Sequence, residues 1–186
     1  MLFLASKSPR RRELLEQLDF GFSVLEVDVA ERCLPGEPPS DYVSRVARAK
    51  AGAGLLRVMT LPDSVVIGAD TEVVLDREVF GKPDDAGSAI GMLERLSGRT
   101  HEVISVVWCV SASREACAKS VSKVTFAPVD AASIAEYVAT GEPFGKAGGY
   151  AIQGRAAAFV RRLEGSYSGV VGLPLFETAG LIHRMS

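Results

Sequence analysis

This chain of 186 residues has few of the residues that build cross-linked frameworks, zinc sites or membrane anchors. Its three cysteines, Cys33, Cys109 and Cys117, form no close pair and no metal-type spacing. An odd count argues against a disulfide framework and for a reducing compartment. There are only two histidines, His101 and His183, far apart and without clustered carboxylates, which argues against zinc. The formal net charge is only -2, so nothing draws the chain as a whole toward nucleic acid or an anionic membrane, and any basic site must be local. No apolar run reaches membrane length, and the opening one lacks the cationic lead-in of a signal peptide. The expected location is the cytoplasm, with no nucleic acid and no membrane as partner. Repeats and low-complexity tracts are also missing, and the Pro/Gly cluster at 34–39 is too short for an interdomain linker.

The length is enough for one substantial core, and the expected organisation is a single domain over 1–186. Apolar strand-like runs alternate with helical patterns. Strands are expected at 2–5, 22–27, 65–69, 72–75, 103–110 and 121–126, and helices at 9–19, 40–58, 85–96, 130–139 and 172–184. The class is α/β. Asp76-Arg77-Glu78 reads as a hairpin tip, so the central sheet should be mixed and flanked by helices.

The most informative stretch is the first. Leu2-Phe3-Leu4-Ala5 runs straight into Ser6-Lys7-Ser8-Pro9-Arg10-Arg11-Arg12, a buried strand feeding the start of a helix. Ser8 suits the N-cap, and Pro9 suits the first helical position, where its missing N–H would have had no partner. Three arginines then occupy the helix end where the macrodipole disfavours cations. Accepting that penalty points to an anion, because backbone donors, hydroxyls and guanidinium forks at one helix end make a phosphate site. Helical phasing places Arg11 with Leu14, Leu15 and Leu18 and turns Arg12 toward Glu16 and Asp19, so Arg12 is the solvated one. The plain alternative is a solvated basic turn.

A second signal is Val65-Val66-Ile67-Gly68-Ala69-Asp70-Thr71, an apolar run ending in an acid and a hydroxyl. In open α/β sheets ligands gather beyond the carboxyl ends of strands, where Asp70 and Thr71 would stand. A turn or capping aspartate would look the same. Lys50 falls on the apolar helical stripe of Val43, Val46 and Ala47, so its ammonium either snorkels outward or enters a site. Lys82 lies between Gly81 and Pro83, where the backbone can approach a ligand closely. Gly141-Glu142-Pro143-Phe144-Gly145-Lys146-Ala147 imitates a Walker loop, but it is one residue short and Ala147 replaces the hydroxyl that magnesium needs. A P-loop is rejected, and no Rossmann glycine fingerprint is present.

Together these blocks resemble the Maf family of nucleoside triphosphate pyrophosphatases, also described as septum formation inhibitor-like proteins. The resemblance rests on Leu4-Ala5-Ser6-Lys7-Ser8-Pro9-Arg10-Arg11, Gly68-Ala69-Asp70-Thr71, Gly81-Lys82-Pro83, Ser97-Gly98-Arg99-Thr100-His101, Gly145-Lys146-Ala147-Gly148-Gly149-Tyr150-Ala151-Ile152-Gln153-Gly154 and Gly165-Ser166-Tyr167, in the family's order over essentially the whole chain. Asp70-Thr71 with the Tyr150 to Gly154 block is similar to the dTTP/UTP pyrophosphatase branch. Gly169 is a departure, since relatives often carry asparagine there.

The resemblance implies a Maf/ITPase-like fold with the substrate cleft at the strand ends. It also implies hydrolysis of dTTP and UTP between the α- and β-phosphates, a house-cleaning activity, and a homodimer. Ser6, Arg10, Arg11, Lys50 and Lys82 would hold the triphosphate. Arg10, Thr71 and Gln153 would select the base, and the Gln153 amide carries the donor and acceptor that a uracil or thymine edge requires. Asp70 is the candidate general base and, with Glu31, the candidate ligand of a divalent cation, magnesium or manganese fitting hard oxygen donors best. Those roles of Asp70 compete, because direct coordination lowers a carboxylate's basicity. The alternatives are a nucleotide-binding regulator of septum formation with incidental hydrolysis, and a 7-methyl-GTP pyrophosphatase.

Overall fold

The computed structural model describes residues 1–185. Strand β1 (Leu2–Ala5) leads into α1 (Pro9–Glu16), β2 (Phe22–Leu25) and the long helix α2 (Pro39–Val58). Strands β3 (Val65–Leu75) and β4 (Glu78–Phe80) follow, then α3 (Ala86–Leu96), β5 (Thr100–Val110), β6 (Glu115–Phe126) and α4 (Ala131–Ala139). The chain ends with β7 (Val160–Glu164), α5 (Tyr167–Val171) and α6 (Leu175–Met185). All seven strands belong to one sheet, in the order β2-β1-β3-β5-β6-β7, with β4 also paired to β3. The β1–β2 and β1–β3 pairings are parallel and the rest antiparallel, so the sheet is mixed as expected.

Local chemistry sets the element ends. Ser8 accepts from the Arg11 amide at 3.4 Å and Pro9 opens α1. Asp85 and Ser88 form a reciprocal capping box at α3, and Asp130 caps α4. Asp76 and Arg77, with φ of 52° and 67°, supply the positive-φ pair that a two-residue hairpin between β3 and β4 requires.

Two expectations are corrected. The strands expected at 65–69 and 72–75 are one continuous strand, β3, which runs through Asp70 and Thr71. Asp70 therefore stands in mid-strand, and what ends beside it is β1, whose Ala5 pairs with Gly68. The helix expected at 172–184 begins only at Leu175, because Gly172 adopts φ 137° and Pro174 follows it, and the short helix α5 that precedes Gly172 was not foreseen. Strand β7 was not foreseen. Its sequence, Val-Arg-Arg-Leu-Glu, leaves its polar residues exposed and carries no strict alternation.

The sheet is covered on both faces. Over one face lies α2, with Tyr42, Val43, Val46 and Ala47 against Val74, Ile104 and Val106. The other face buries Leu14 and Leu15 of α1 and Leu181 and Ile182 of α6 against Leu4, Ile67 and Val107. Beside them Leu93, Leu96, Ile134 and Tyr137 pack on Val73, Val103 and Phe126.

His101 sits in this last cluster, 2% exposed, with Nε2 2.8 Å from the Tyr150 hydroxyl and its ring edge-on to Phe126. Burial pushes its pKa down to about 4. An unfolded chain takes up a proton here near pH 6.5, whereas the folded protein resists until about 4. Stability should therefore fall as pH drops through that window, by up to about 3 kcal/mol from this group. Proton NMR of the His101 Cε1–H should give a midpoint near 4, and a midpoint near 6.5 would remove the effect.

Candidate active site

The site forms where β1 runs out along β3. Strand β5 pairs with β3 along one edge, from Val66 to Val74. On the other edge β1 pairs only with Val65 to Gly68 and β4 only with Val73 to Leu75. No strand lies beside Ala69 to Glu72 on that edge, and the chain leaving β1 turns away there into Ser6 and α1. A cleft of about 740 Å³ opens at this gap. Ser6, Arg10, Arg11, Glu31, Lys50, Asp70, Thr71, Lys82 and Gln153 all line it, so the structure brings together every residue singled out from the sequence.

Helix α2 reaches the cleft because β3 is bare at Gly68. A Cβ there would stand 2.4 Å from the Ala47 carbonyl oxygen and 2.4 Å from the Ala51 amide nitrogen. That approach lays Lys50 over Asp70. The Lys50 ammonium is 2.8 Å from Asp70 Oδ1 and 2.7 Å from Glu31 Oε1, and Lys82 donates to Glu31 Oε2 at 2.6 Å. Lys50 is 7% and Asp70 4% exposed, so this pair is shielded from the solvent that weakens surface ion pairs. For Glu31 partial burial opposes ionisation, but hydrogen bonds from Lys50 and Lys82, with their charges, prevail and hold the carboxyl at about 2.

The opposite wall comes from α1. Ser6 Oγ accepts from the Ser8 amide at 3.1 Å. Arg11 donates from Nε to the Gly172 carbonyl at 2.8 Å and from Nη2 to Thr71 Oγ1 at 3.4 Å. Thr71 also lies 2.7 Å from Ser105 Oγ. Arg11 and Thr71 thus tie α1, β3 and the α5–α6 junction together. Arg10 has no side-chain partner among the described residues, and burial, with the neighbouring Arg11 charge, lowers its pKa. Arg12 is exposed and faces Glu16 at 3.6 Å, as phasing predicts.

Gln153 is exposed at the rim, on a loop clasped from below. Glu142 accepts from the Arg155 amide at 3.0 Å and from the Tyr137 hydroxyl at 2.9 Å, and that hydroxyl accepts from the Ala151 amide at 3.3 Å. The clasp fixes the backbone on both sides of Gln153 and leaves its amide without a partner among the described residues. Gly169 does not line the cleft and meets it only through Ser105, the neighbour of Thr71. It lies in α5, packed against Ser166 and Ser120, and its carbonyl accepts from Ser105.

Sequence reasoning missed four charged residues of the cleft: Lys7 and Asp28, which pair with each other at 2.6 Å, and Lys146 and Glu72. Lys146 lines it and donates to the Glu142 carbonyl at 2.6 Å, the residue having been set aside with the false Walker loop. Glu72 lines it two residues beyond Asp70, 5% exposed, and burial, then the Asp70 charge, push its carboxyl up to about 8. Strand alternation exposes Glu72 at once, provided β3 is read as unbroken. Among the described residues no group of three or more His, Cys, Asp and Glu side chains is gathered as a metal cage. Asp70 Oδ2 and Glu72 Oε2 are nevertheless buried without a hydrogen-bond partner.

Fold and site together define a mixed-sheet α/β protein with a polar cleft, cationic along its α1 wall and lined on the α2 side by lysines paired with carboxylates. The Maf-like protein family matches residues 1–185, and the chain belongs to it. Among curated relatives, a dTTP/UTP pyrophosphatase of Xanthomonas euvesicatoria is 56% identical over 184 residues, covering 98% of this chain and 97% of its own. One of Burkholderia pseudomallei is 50% identical over 191 residues, covering 97% and 91%. A solved nucleoside-triphosphatase / dITP/XTP pyrophosphatase from Mycobacterium abscessus aligns with 69% of this chain and 73% of its own, at 18% identity and a TM-score of 0.45.

The contact at Gly68 is testable. Gly68→Ala should force α2 off the sheet and lower stability by about 2 kcal/mol, within the range for overpacked cores. An unchanged urea midpoint would show that the helix yields without cost and that Gly68 does not set the Lys50–Asp70 pairing.

Proposed function

We propose that this protein hydrolyses nucleoside triphosphates, dTTP and UTP foremost, between the α- and β-phosphates to give the monophosphate and pyrophosphate. The observation that carries this reading is a buried Lys50–Asp70 pair with one carboxylate oxygen unpartnered, in the same cleft as an Arg10 that has no anionic partner among the described residues. A site that only bound phosphate would gain nothing from a buried aspartate, whose charge repels the ligand. A site that hydrolyses it needs a base. The curated relatives' shared name supports the same conclusion.

In this reading Arg10, Arg11, Lys82 and the Ser6 hydroxyl hold the triphosphate, and their charges stabilise the leaving pyrophosphate more than the ground state. Lys50 holds Asp70 by Oδ1 and leaves Oδ2, which has no hydrogen-bond partner among the described residues, either to take the proton of the attacking water or to bind a cation, roles that compete for the one atom. Gln153 offers its free amide to the carbonyl and imide N–H of a pyrimidine edge, with Arg10 and Thr71 beside it. UTP and dTTP share that edge, and nothing in the cleft lining sets them apart.

A divalent cation, magnesium or manganese, belongs to the same reading and fits the unpartnered Asp70 oxygen. When bound it would neutralise phosphate charge and polarise the bond that breaks. Glu31 joins it as a ligand only by releasing a lysine, since both its oxygens hold ammonium groups. The reading extends to a homodimer, on the family resemblance, and to the cytoplasm, which suits three unpaired cysteines. No helix among the described residues is long and apolar enough to cross a membrane.

Product analysis by ion-exchange chromatography tests the reaction. With magnesium, UTP and dTTP should yield monophosphate and pyrophosphate. Asp70→Asn should lower kcat about 10²- to 10⁴-fold, the usual share of a general base. Diphosphate with orthophosphate would refute the bond assignment, and full activity in Asp70→Asn would remove the base. Gln153→Ala should reduce the preference for UTP over CTP about tenfold or more in kcat/KM, the scale of one lost base-edge contact. A preference that survives intact would move base selection elsewhere.

A further inference from the structure

We propose that Glu72 is a second carboxylate of a divalent-cation site shared with Asp70, the remaining ligands being substrate phosphate oxygens and water. This deepens the reading above and rests on it for the phosphate ligands alone. Because β3 is continuous, Asp70 and Glu72 point to the same face, about 6.6 Å apart along the strand. Both line the cleft. Four buried side-chain polar atoms lack a partner among the described residues, and two of them, Asp70 Oδ2 and Glu72 Oε2, belong to this pair of neighbours.

Charge counting makes the same point. Leaving aside the Lys7–Asp28 pair, and with Glu72 ionised as a bound cation would hold it, this part of the cleft carries three carboxylates, on Glu31, Asp70 and Glu72, against two ammonium groups, on Lys50 and Lys82. Both lysines are committed, Lys50 to Asp70 and Glu31, and Lys82 to Glu31. The Glu72 side chain has no ion pair and no hydrogen bond among the described residues, although it is only 5% exposed. Its cross-strand neighbour is Ile104, and Val74 follows it on the same face. An apolar side chain would fill such a position without the penalty of an unpaired buried acid. The carboxylate is explained by a cation that the protein itself does not supply.

The donor set selects the kind of ion. Two hard carboxylate oxygens, in a cleft whose lining includes no cysteine or histidine, suit magnesium or manganese. Magnesium in particular is commonly held by one or two carboxylates together with phosphates and water, not by an all-protein cage. That matches a pair of carboxylates in a cleft where no three-ligand cage is gathered.

The test measures ion binding directly. Mn²⁺ is titrated into the full-length protein by electron paramagnetic resonance, with and without α,β-methylene-UTP, a hydrolysis-resistant substrate analogue. The wild type should bind one Mn²⁺, more tightly with the analogue present. Glu72→Gln, which keeps the shape and removes the charge, should weaken that site at least tenfold, and Glu102→Gln on the surface should not change it. The metal-free Glu72→Gln protein should melt no lower than wild type, so that lost binding is not lost folding. Glu72→Asp, which shortens the side chain but keeps the carboxylate, should retain more affinity than Glu72→Gln. Equal Mn²⁺ affinity in Glu72→Gln and wild type, or no Mn²⁺ bound by the wild type, would overturn the site. Mn²⁺ binding that depends on Glu72 without turnover of dTTP or UTP would instead uphold the site and overturn the proposed reaction.

Discussion

The close approach of α2 to β3 at Gly68 is the constraint on which the site depends. Helices usually rest on a sheet through a layer of side chains, which keeps them about 10 Å away. Here one position carries no side chain, and the Ala47 carbonyl and Ala51 amide occupy the space a Cβ would need. A long lysine three residues beyond Ala47 then reaches an aspartate two residues beyond Gly68, and both stay buried. Burying one such charge alone would be prohibitive, and burying them together leaves a cost that good geometry offsets. The fold therefore holds a charged pair in place without exposing it to water.

A second consequence of the sheet is the asymmetry of the cleft. The α1 wall presents guanidinium groups, one tied to Gly172 and Thr71 and one free. The α2 wall presents ammonium groups already engaged by carboxylates. A polyanion between these walls meets permanent positive charge on one side and an adjustable network on the other, in which protons and ions can be exchanged. Such an arrangement suits a reaction that builds up charge at one phosphate more than simple retention of a ligand.

Much of the site was legible in the residues. The Ser8-Pro9 start of α1, the solvated Arg12, the Asp76-Arg77 hairpin and the odd position of Lys50 on an apolar stripe each follow from short-range rules, because helix phase and turn chemistry are local. The continuity of β3 was not legible. A charged residue followed by a hydroxyl in an apolar run looks like the end of a strand, and only pairing with β5 along the whole run shows that it continues. That misreading hid Glu72, whose place beside Asp70 follows from strand alternation alone. Lys146 was obscured for a different reason, since it lay inside a motif whose resemblance to a phosphate loop was rightly rejected.

By itself, then, the order of residues determined the α/β class, the helix caps, the family resemblance and the chemical types available to the site, all of which depend on composition, periodicity and neighbours a few positions apart. Tertiary structure alone decided which charges meet. Lys50, Glu31, Asp70 and Lys82 lie up to 51 positions apart in the chain and converge only because a parallel strand ends where a longer one goes on. It also decided which carboxylate is left without a partner. Electrostatic pairing falls off over a few ångströms and depends on burial, and neither distance in space nor exclusion of water is written in sequence separation.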